Sequence, residues 1–598
     1  MNKKIKIVLI SIASLLLLVV AGVWYASTAI DPAQLVKLLA TSVKSATGRD
    51  LKISGPVSLT LFPSITVSAE QVSLSNAPWA TESDMLKLQR IELDIKTLPL
   101  LSKQVEINSI NLSGLELYLR KNSAGKANWD LSVDSSSAAS SASSTSDSGS
   151  ANDNLMSLTN ISMQNANIHY EDANAVKSSY QVQRLSVLGR GDKSVITLNM
   201  KYNSVDVGLT GSVGYLSKVY KDWGSSALEF PVDLNLAING KVLQIKGSLS
   251  KNAQSMAAIN MVLTSKAFEW PNLTTPAANS LKGAQPSSQR PAPSSKYLFS
   301  DESLSFNSLP QATGTISVNI AELSLPKRKP LQNLTAQIQL KGDVIELSQA
   351  SFQLGSGLAD IQGKLSQFTG QAPALALKGV TKNFTLEQLM GSVDPQSKVS
   401  GGNMKLAFDL NSTGMSLHQL AGNSNGKIQL SINQAQMGTN FLNDAGDFVV
   451  TVLDSMNPLR KKTTNTTLEC AVAYLPISNG QINIANSVGM ETDRLNVVVA
   501  GSLNLKSETV NLTIDPQEKS GLTTGLGLAG LVKIGGTLSN PKAVLNQAGV
   551  VNSAVSIGLG FLTGGASILA ENARSMTSKG HPCRDALHPW SDIYPGAE

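Results

Sequence analysis

The sequence predicts a mostly β protein carried on a single N-terminal transmembrane helix. Three observations lead there. An uncharged run of 24 residues, Ile7 to Ile30, follows Lys3, Lys4 and Lys6. Beyond it, apolar residues alternate with small or polar ones as far as Ile534, the period that half-buried strands require because successive side chains point to opposite faces. Gly, Asn, Ser and Asp recur between these runs at intervals of about 8 to 15 residues, the spacing of antiparallel meanders rather than of βαβ units.

The N-terminal run is long enough to cross a ~30 Å hydrocarbon core as a helix. Thirteen of its residues are Leu, Ile or Val, and Trp24 and Tyr25 fall where the far interface would be. Lys3, Lys4 and Lys6 place the N-terminus on the cytoplasmic side and the rest of the chain across the membrane. A cleavable signal peptide is the competing reading, but the run exceeds a signal's apolar region and a cleavage site near Ala26 to Ala29 is poor. Over the 598 residues, 42% are hydrophobic and 15% charged, which excludes both a disordered tail protein and a polytopic membrane protein. The net charge of +6 is a thin surplus of 49 basic over 43 acidic residues, and the three N-terminal lysines supply half of it. No nucleic-acid footprint remains.

The elements follow in order. Residues 1–6 are the cytoplasmic end and 7–30 the anchor. Within 31–132, Asp31 and Pro32 start a short helix that ends near Gly48, with Leu35, Val36, Leu38, Leu39 and Val43 on one apolar face. Alternating runs follow at Val57 to Leu61, Ile65 to Val67, Val72 to Leu74, Ile91 to Ile95, Val105 to Ile107 and Leu115 to Leu119. Residues 133–153 read as a flexible loop, since Ser132 to Ser150 holds eleven serines in nineteen residues. A β-rich segment, 154–270, leads to a Pro-rich loop, 271–310, which separates two β-rich halves and has five prolines between Pro271 and Ser300. The second half, 311–541, has one internal helical turn, Thr385 to Met390. Residues 542–575 are apolar and read as a helix covering one end of the sheet; 576–598 read as a flexible tail.

Motifs for chemistry lack their structural context. Gly525 to Gly530 matches GxGxxG, but a strand rather than a helix follows it. Gly422 to Gly426 matches GxSxG around Ser424, yet a strand follows and the later histidines, His581 and His588, lie in the tail, so a polar hairpin turn is expected. His169 and His418 stand without a second ligand at metal spacing. No catalytic residue, metal or cofactor is expected, and the chain reads as a binding or conduit protein rather than an enzyme. Cys470 and Cys583 admit one bridge, or a buried strand thiol with a free thiol in the tail, and sequence leaves both open.

Several segments resemble the AsmA family of inner-membrane-anchored proteins. They are Thr47-Gly48-Arg49 leading to Ile53-Ser54-Gly55, Asn76-Ala77-Pro78-Trp79, Pro99-Leu100-Leu101, and Asn122 to Gly125 with Asn128-Trp129. Further on they are Gly414 to Gly422, Gly426-Lys427-Ile428, Cys470 to Ala473 with Gly480, Gly501 to Leu512, Gly535 to Pro541, and Pro582-Cys583. Residues 132 to 310 carry little of this resemblance, and Phe352 to Gly355 matches only loosely. The resemblance implies a long, twisted, antiparallel β-groove, apolar inside and open along one side, and a role in envelope lipid homeostasis. Parity then nominates Val57, Leu59, Leu61, Ile65, Val67, Ile91, Leu93 and Ile95 as groove lining. The implied partners are phospholipid acyl chains and the inner membrane, with the outer membrane or envelope proteins beyond. The leading expectation is a periplasmic phospholipid-transfer protein serving the outer membrane. The alternatives are a scaffold for outer-membrane β-barrel assembly and, for the fold, a closed sandwich without a cavity.

Overall fold

The computed structural model describes residues 47–60, 64–96, 107–130, 160–271, 297–393, 399–438, 465–519, 532–545 and 580–598, apart from scattered positions within them, with isolated residues of 36–44. The expected anchor with Lys3, Lys4, Lys6, Trp24 and Tyr25 lies outside the described residues, as do Leu61, the serine-rich stretch 133–153, Gly525 to Gly530 and 546–575. No helix among the described residues is long and apolar enough to cross a membrane. The described positions between 36 and 47 are helical, where the sequence placed a short helix.

The molecule is mostly β, a large open sheet with few short helices, and contacts divide the chain into two units, 1–255 with 271–279 and 256–270 with 280–598. In the first unit, Leu51–Ile53 and Val57–Thr60 both pair with Ile65–Ser75. Then Asp84–Ile95, Ile107–Arg120, Asn160–Glu171, Lys177–Arg190, Lys193–Tyr202, Val205–Gly214, Leu228–Ile238 and Lys241–Lys251 each pair with the strand before. Short hairpins account for most of this, and their turns have the expected chemistry. Asn239-Gly240, both at positive φ, close the two-residue turn between Ile238 and Lys241.

The sheet is not wholly antiparallel, which corrects the sequence expectation. Ile107–Arg120 runs parallel to Asn160–Glu171, and Ala257–Ser265 runs parallel to Ala312–Ser324. Parallel neighbours cannot be joined by a hairpin; the chain must return to its starting rim through a long connection. The serine-rich and proline-rich segments occupy these two connections. The second parallel pair also moves the division between units: strand Ala257–Ser265 lies before Pro271 in sequence but belongs to the second unit.

The second unit continues strand by strand from Ala312–Ser324 to Asn540–Leu545. The expected helical turn near Thr385 is the helix Leu386–Val393. A second helix, Leu417–Gly422, is capped by the Ser416 side chain, which accepts from the Gln419 amide. Two further expectations change at the C-terminal end. Residues 540–545 form a strand paired with Val532–Thr537, so the strand region runs past 541. Residues 580–598, expected to be a flexible tail, are packed: Ala586 and Ala597 are fully buried, and Cys583 and Ile593 nearly so. The tail lacks β periodicity, and its few apolar residues are interrupted by Pro582, Pro589 and Pro595, so the alternation rule gave no sign of packing.

Alternation alone would also misassign faces within single strands. In Ile65–Ser75 the apolar positions change from odd (Ile65, Val67, Ala69) to even (Val72, Leu74). The same three-residue step occurs at Leu88/Ile91, Leu112/Leu115, Met163/Ala166 and Val182/Leu185, yet all ten residues at these steps pack in one cluster. Gln71, Gly114 and Asn165 sit at positive φ between the members of their pairs. A left-handed residue there turns the following side chain back to the original face. The step crosses neighbouring strands together and ends at a register shift between Val182 and Arg184.

Some glycines are required by close strand approach. Gly426 has φ +135, and a Cβ on it would lie 2.0 Å from the Asp409 carbonyl oxygen of the paired strand. Gly240 has φ +82 with nothing within 4 Å. Gly426→Ala is therefore expected to destabilise the chain by about 3 kcal/mol or more and Gly240→Ala by only about 1 kcal/mol, read from urea or thermal unfolding of the two variants. Equal losses would refute the close-approach account.

Candidate functional site

The register lines up the apolar positions of successive strands. Directly paired residues in a sheet share a face. In the first unit one such line runs Leu59, Val67, Leu93, Ile110, Ile161, Val187, Ile196, Gly211, Leu234 and Ile245. A second, beside it, runs Val57, Ala69, Ile91, Leu112, Met163, Leu185, Leu198, Leu209, Leu236 and Leu243. Most of these side chains are partly exposed. Between the two lines, on the reverse face, stand Ser68, Glu92, Asn111, Ser162, Ser186, Thr197, Thr210, Asn235 and Gln244. Every strand contributes polar atoms to one side and hydrocarbon to the other.

Of the residues nominated from parity, Leu59, Val67 and Leu93 are direct partners, Ile65 pairs with Ile95, and Val57 and Ile91 both pair with Ala69. The structure thus brings seven of the eight onto one face; Leu61 is the one outside the described residues. Parity reached only the first strands, and the two lines extend the set across the unit.

The second unit has its own apolar line, through Leu263, Val318, Ala336, Ala350, Ile361, Gly379, Phe408, Ile428 and Leu475. Its neighbour continues through Ala473, Val488, Val499, Ile514 and Val532. The C-terminal segment lies on the opposite face, against Val380, Ala407, Gln429, Val472 and Tyr474. Gln429, fully buried, donates from Nε2 to the His588 carbonyl at 2.9 Å and accepts from the His588 amide at 3.0 Å. The His588 ring stacks on Tyr474 with centroids 3.8 Å apart, and Lys405 Nζ sits 4.3 Å over Trp590. Cys583 is bonded to Cys470, and its amide donates to Glu491 Oε1 at 3.1 Å. Gly489 admits the segment this closely, since a Cβ there would meet the Pro582 carbonyl at 2.4 Å.

Two polar clusters hold the rims. In the first unit, Arg49 donates from Nη1 to the Asn76 carbonyl at 2.9 Å and from Nη2 to that of Asn128 at 3.3 Å. Asn128, fully buried, donates to Asn76 Oδ1 and the Tyr118 carbonyl and accepts from the Arg120 amide. In the second unit, Glu508, also fully buried, accepts from the amides of Leu298 at 2.5 Å and Phe299 at 3.0 Å and faces His418 Nδ1 at 3.2 Å. Tyr297 stacks on His418. Burial pushes the Glu508 carboxyl up, but the two amides and His418 outweigh it and hold the group below the usual carboxylate range. The Leu298–Leu309 stretch, expected to be loop, is thereby fixed against the helix Leu417–Gly422, with Leu304 donating to the Met415 carbonyl and His418 to that of Ser300.

The remaining sequence candidates have structural partners. Ser424 follows a helix rather than closing a hairpin; it is buried and its Oγ donates to the Ala421 carbonyl at 2.7 Å. His169 stacks on Tyr118 and faces Glu116 at 3.3 Å. Sequence reasoning did not find Glu508, Gln429 or the Arg49–Asn76–Asn128 cluster as contacts. For the last, the signal was present in the motifs around residues 49, 76 and 128, which proved to be one place in space.

The chain is thus mostly β with an apolar and a polar face, and sequence comparison supplies its class. The profile of the AsmA family matches residues 1–309 and 277–486, and the chain belongs to that family. Over 267 residues it is 26% identical to the AsmA family protein YhjG of Escherichia coli (strain K12); the match covers 43% of this chain and only 37% of that protein. No solved structure matches.

Glu508 carries a pH dependence with a definite sign. A carboxyl whose folded pKa is depressed contributes stability above its unfolded value, about 4.3. That contribution is lost as pH falls through the lower folded value. Hydrogen exchange should therefore show the Leu298 and Phe299 amides protected at neutral pH and released only below the ordinary carboxylate range. Glu508→Gln should expose them already at pH 7 and abolish the acid transition. Unchanged protection in that variant would refute the role of the charge.

Proposed function

We propose that the chain binds phospholipid through the two apolar lines and carries it between the membranes of the cell envelope. The acyl chains lie on the hydrocarbon face and the headgroups stay in water. The supporting observation is the unbroken register of the apolar lines across ten successive strands, partly exposed and backed by polar side chains. Fully burying a Val, Leu or Ile contributes about 1.5–3 kcal/mol. If about half of that is unrealised at each of some twenty positions, covering the face is worth on the order of 15 kcal/mol or more. An open sheet with a hydrocarbon face of this extent is unusual for a monomer in water. Nine strand spacings of ~4.8 Å give about 43 Å, against ~30 Å for a whole bilayer core, so the face of one unit has room for more than one acyl chain end to end.

Transfer needs no covalent step, which fits side chains that offer contact area rather than nucleophiles. Family membership supports an envelope role, and the N-terminal apolar run supports an inner-membrane anchor with the sheet on the periplasmic side. Polypeptide rather than lipid on the same face would make the protein a scaffold for outer-membrane β-barrel assembly.

A photoreactive residue placed in the full chain in cells tests the assignment. At Leu93, Leu112 or Leu234 it should form phospholipid adducts, and at Glu92, Asn111 or Asn235 it should not. Leu93→Asp should lower the adduct yield at Leu112 several-fold without unfolding the chain. Equal labelling of both faces, or none, would sink the proposal; adducts with barrel polypeptides in place of lipid would select the scaffold.

A further inference from the structure

We propose that the two loops carrying Trp79 and Trp129 rest in the headgroup layer of the bilayer that holds the N-terminal apolar run. The proposal rests on the anchored reading above and adds the surface by which the sheet meets that membrane.

Three observations carry it. The first is reach. A helical residue advances ~1.5 Å and an extended one at most ~3.6 Å, so the stretch from Ile30 through the helical positions to Arg49 keeps Arg49 within roughly 40 Å of the end of the run. Arg49 is bonded to both loops, through the Asn76 and Asn128 carbonyls, so the loops share this tether. The second is rigidity. The Asn128 side chain joins the loops to each other and to the strand Ile107–Arg120 through Asn76 Oδ1, the Tyr118 carbonyl and the Arg120 amide. The loops are a fixed platform on the anchor side of the first unit.

The third is chemistry. On that platform Trp129 remains 36% exposed, tilted against Tyr170 at 6.1 Å, with Lys121 Nζ 5.9 Å over its ring. Val176, in the neighbouring turn, is 45% exposed. An indole exposed on a rigid loop beside a tyrosine and a lysine is the composition that settles at headgroup level. There the ring body meets acyl carbon, and the ring N–H and the ammonium meet phosphate and water. The apolar lines of the first unit begin on the strands these loops join, so docking sets their first strands beside the bilayer.

Trp129→Cys in the full chain, labelled with a nitrobenzoxadiazole fluorophore, tests this. Cys470 and Cys583 are bonded to each other, so the label goes to the introduced thiol. The chain is reconstituted into phosphatidylethanolamine–phosphatidylglycerol vesicles with brominated acyl chains. Emission at position 129, and likewise from Trp79→Cys, should fall about two-fold relative to unbrominated vesicles, while Asn239→Cys, several strands away, should not respond. Quenching of Tyr25→Cys without quenching at 79 and 129 would overturn the docking. If lipid adducts on the apolar face persisted in that case, the docking alone would fall and the groove would stand. No quenching at Tyr25→Cys would remove the anchor and the docking with it.

Discussion

Cross-strand register is the constraint on which the rest depends. A side-chain period of two means that a one-residue slip between any pair of strands would carry an apolar residue to the polar face and a Ser, Asn or Glu to the hydrocarbon face. Because each strand pairs with the next, a slip would pass to every strand beyond it. The pairing Leu93 to Ile110 to Ile161 therefore matters more than the burial of any one of the three. Where a strand must bend, the correction is made in neighbours together: the left-handed residues Gln71 and Gly114 flank the strand Asp84–Ile95 on either side, Asn165 stands beside Gly114, and the apolar positions of all these strands stay in one cluster. The second unit makes such corrections singly, as at the shift between Leu347 and Ala350.

A sheet with one hydrocarbon face has a second problem, since that face must be covered or left to water. The C-terminal segment shows how selectively the chain covers itself. It lies where the reverse face is locally apolar, at Val380, Ala407 and Val472, and it is held by the Gln429–His588 pair, the Cys470–Cys583 bond and Glu491. The hydrocarbon line through Phe408 and Ile428 is on the other side of the same strands. Among the described residues, the chain thus hides the exception on its polar face and leaves the regular apolar face partly exposed. That asymmetry supports the proposed occupant better than exposure alone, because the one described segment that covers the sheet lies on the opposite face.

Much of this was legible in the sequence, for a physical reason. Alternation is a local signal, so strand positions, the short helix near Thr385 and the common face of Val57 to Ile95 could be read directly. Pairing order was also readable wherever Asn-Gly or a similar turn joined two runs. What failed was non-local. The parallel pair Ala257–Ser265 with Ala312–Ser324 depends on two segments that a proline-rich stretch separates, and no short-range pattern marks it. The packed tail escaped for the same reason, since Gln429 and Tyr474 beside His588, and Cys470 and Glu491 beside Cys583, lie about ninety or more residues away, in other strands. Nothing in its sequence neighbourhood singled out Glu508; only the Leu298 and Phe299 amides, over two hundred residues away, give it a role.

The motifs that carry the family resemblance sit mainly at rims and turns rather than on the apolar lines. Arg49, Asn76 and Asn128 form one cluster; Ser416 and Gly422 bound the capped helix beside Glu508; Gly480 closes a turn against Gly422. On the lines themselves Leu, Ile, Val, Met and Ala alternate from strand to strand, because an apolar face asks only for hydrocarbon of about the right volume. A rim asks for particular atoms: a guanidinium that reaches two carbonyls, an amide that satisfies three partners, a glycine where another backbone passes. Such demands can be met by few residue types, whereas the lines accept any side chain of suitable volume. The apolar face is recognised by its register.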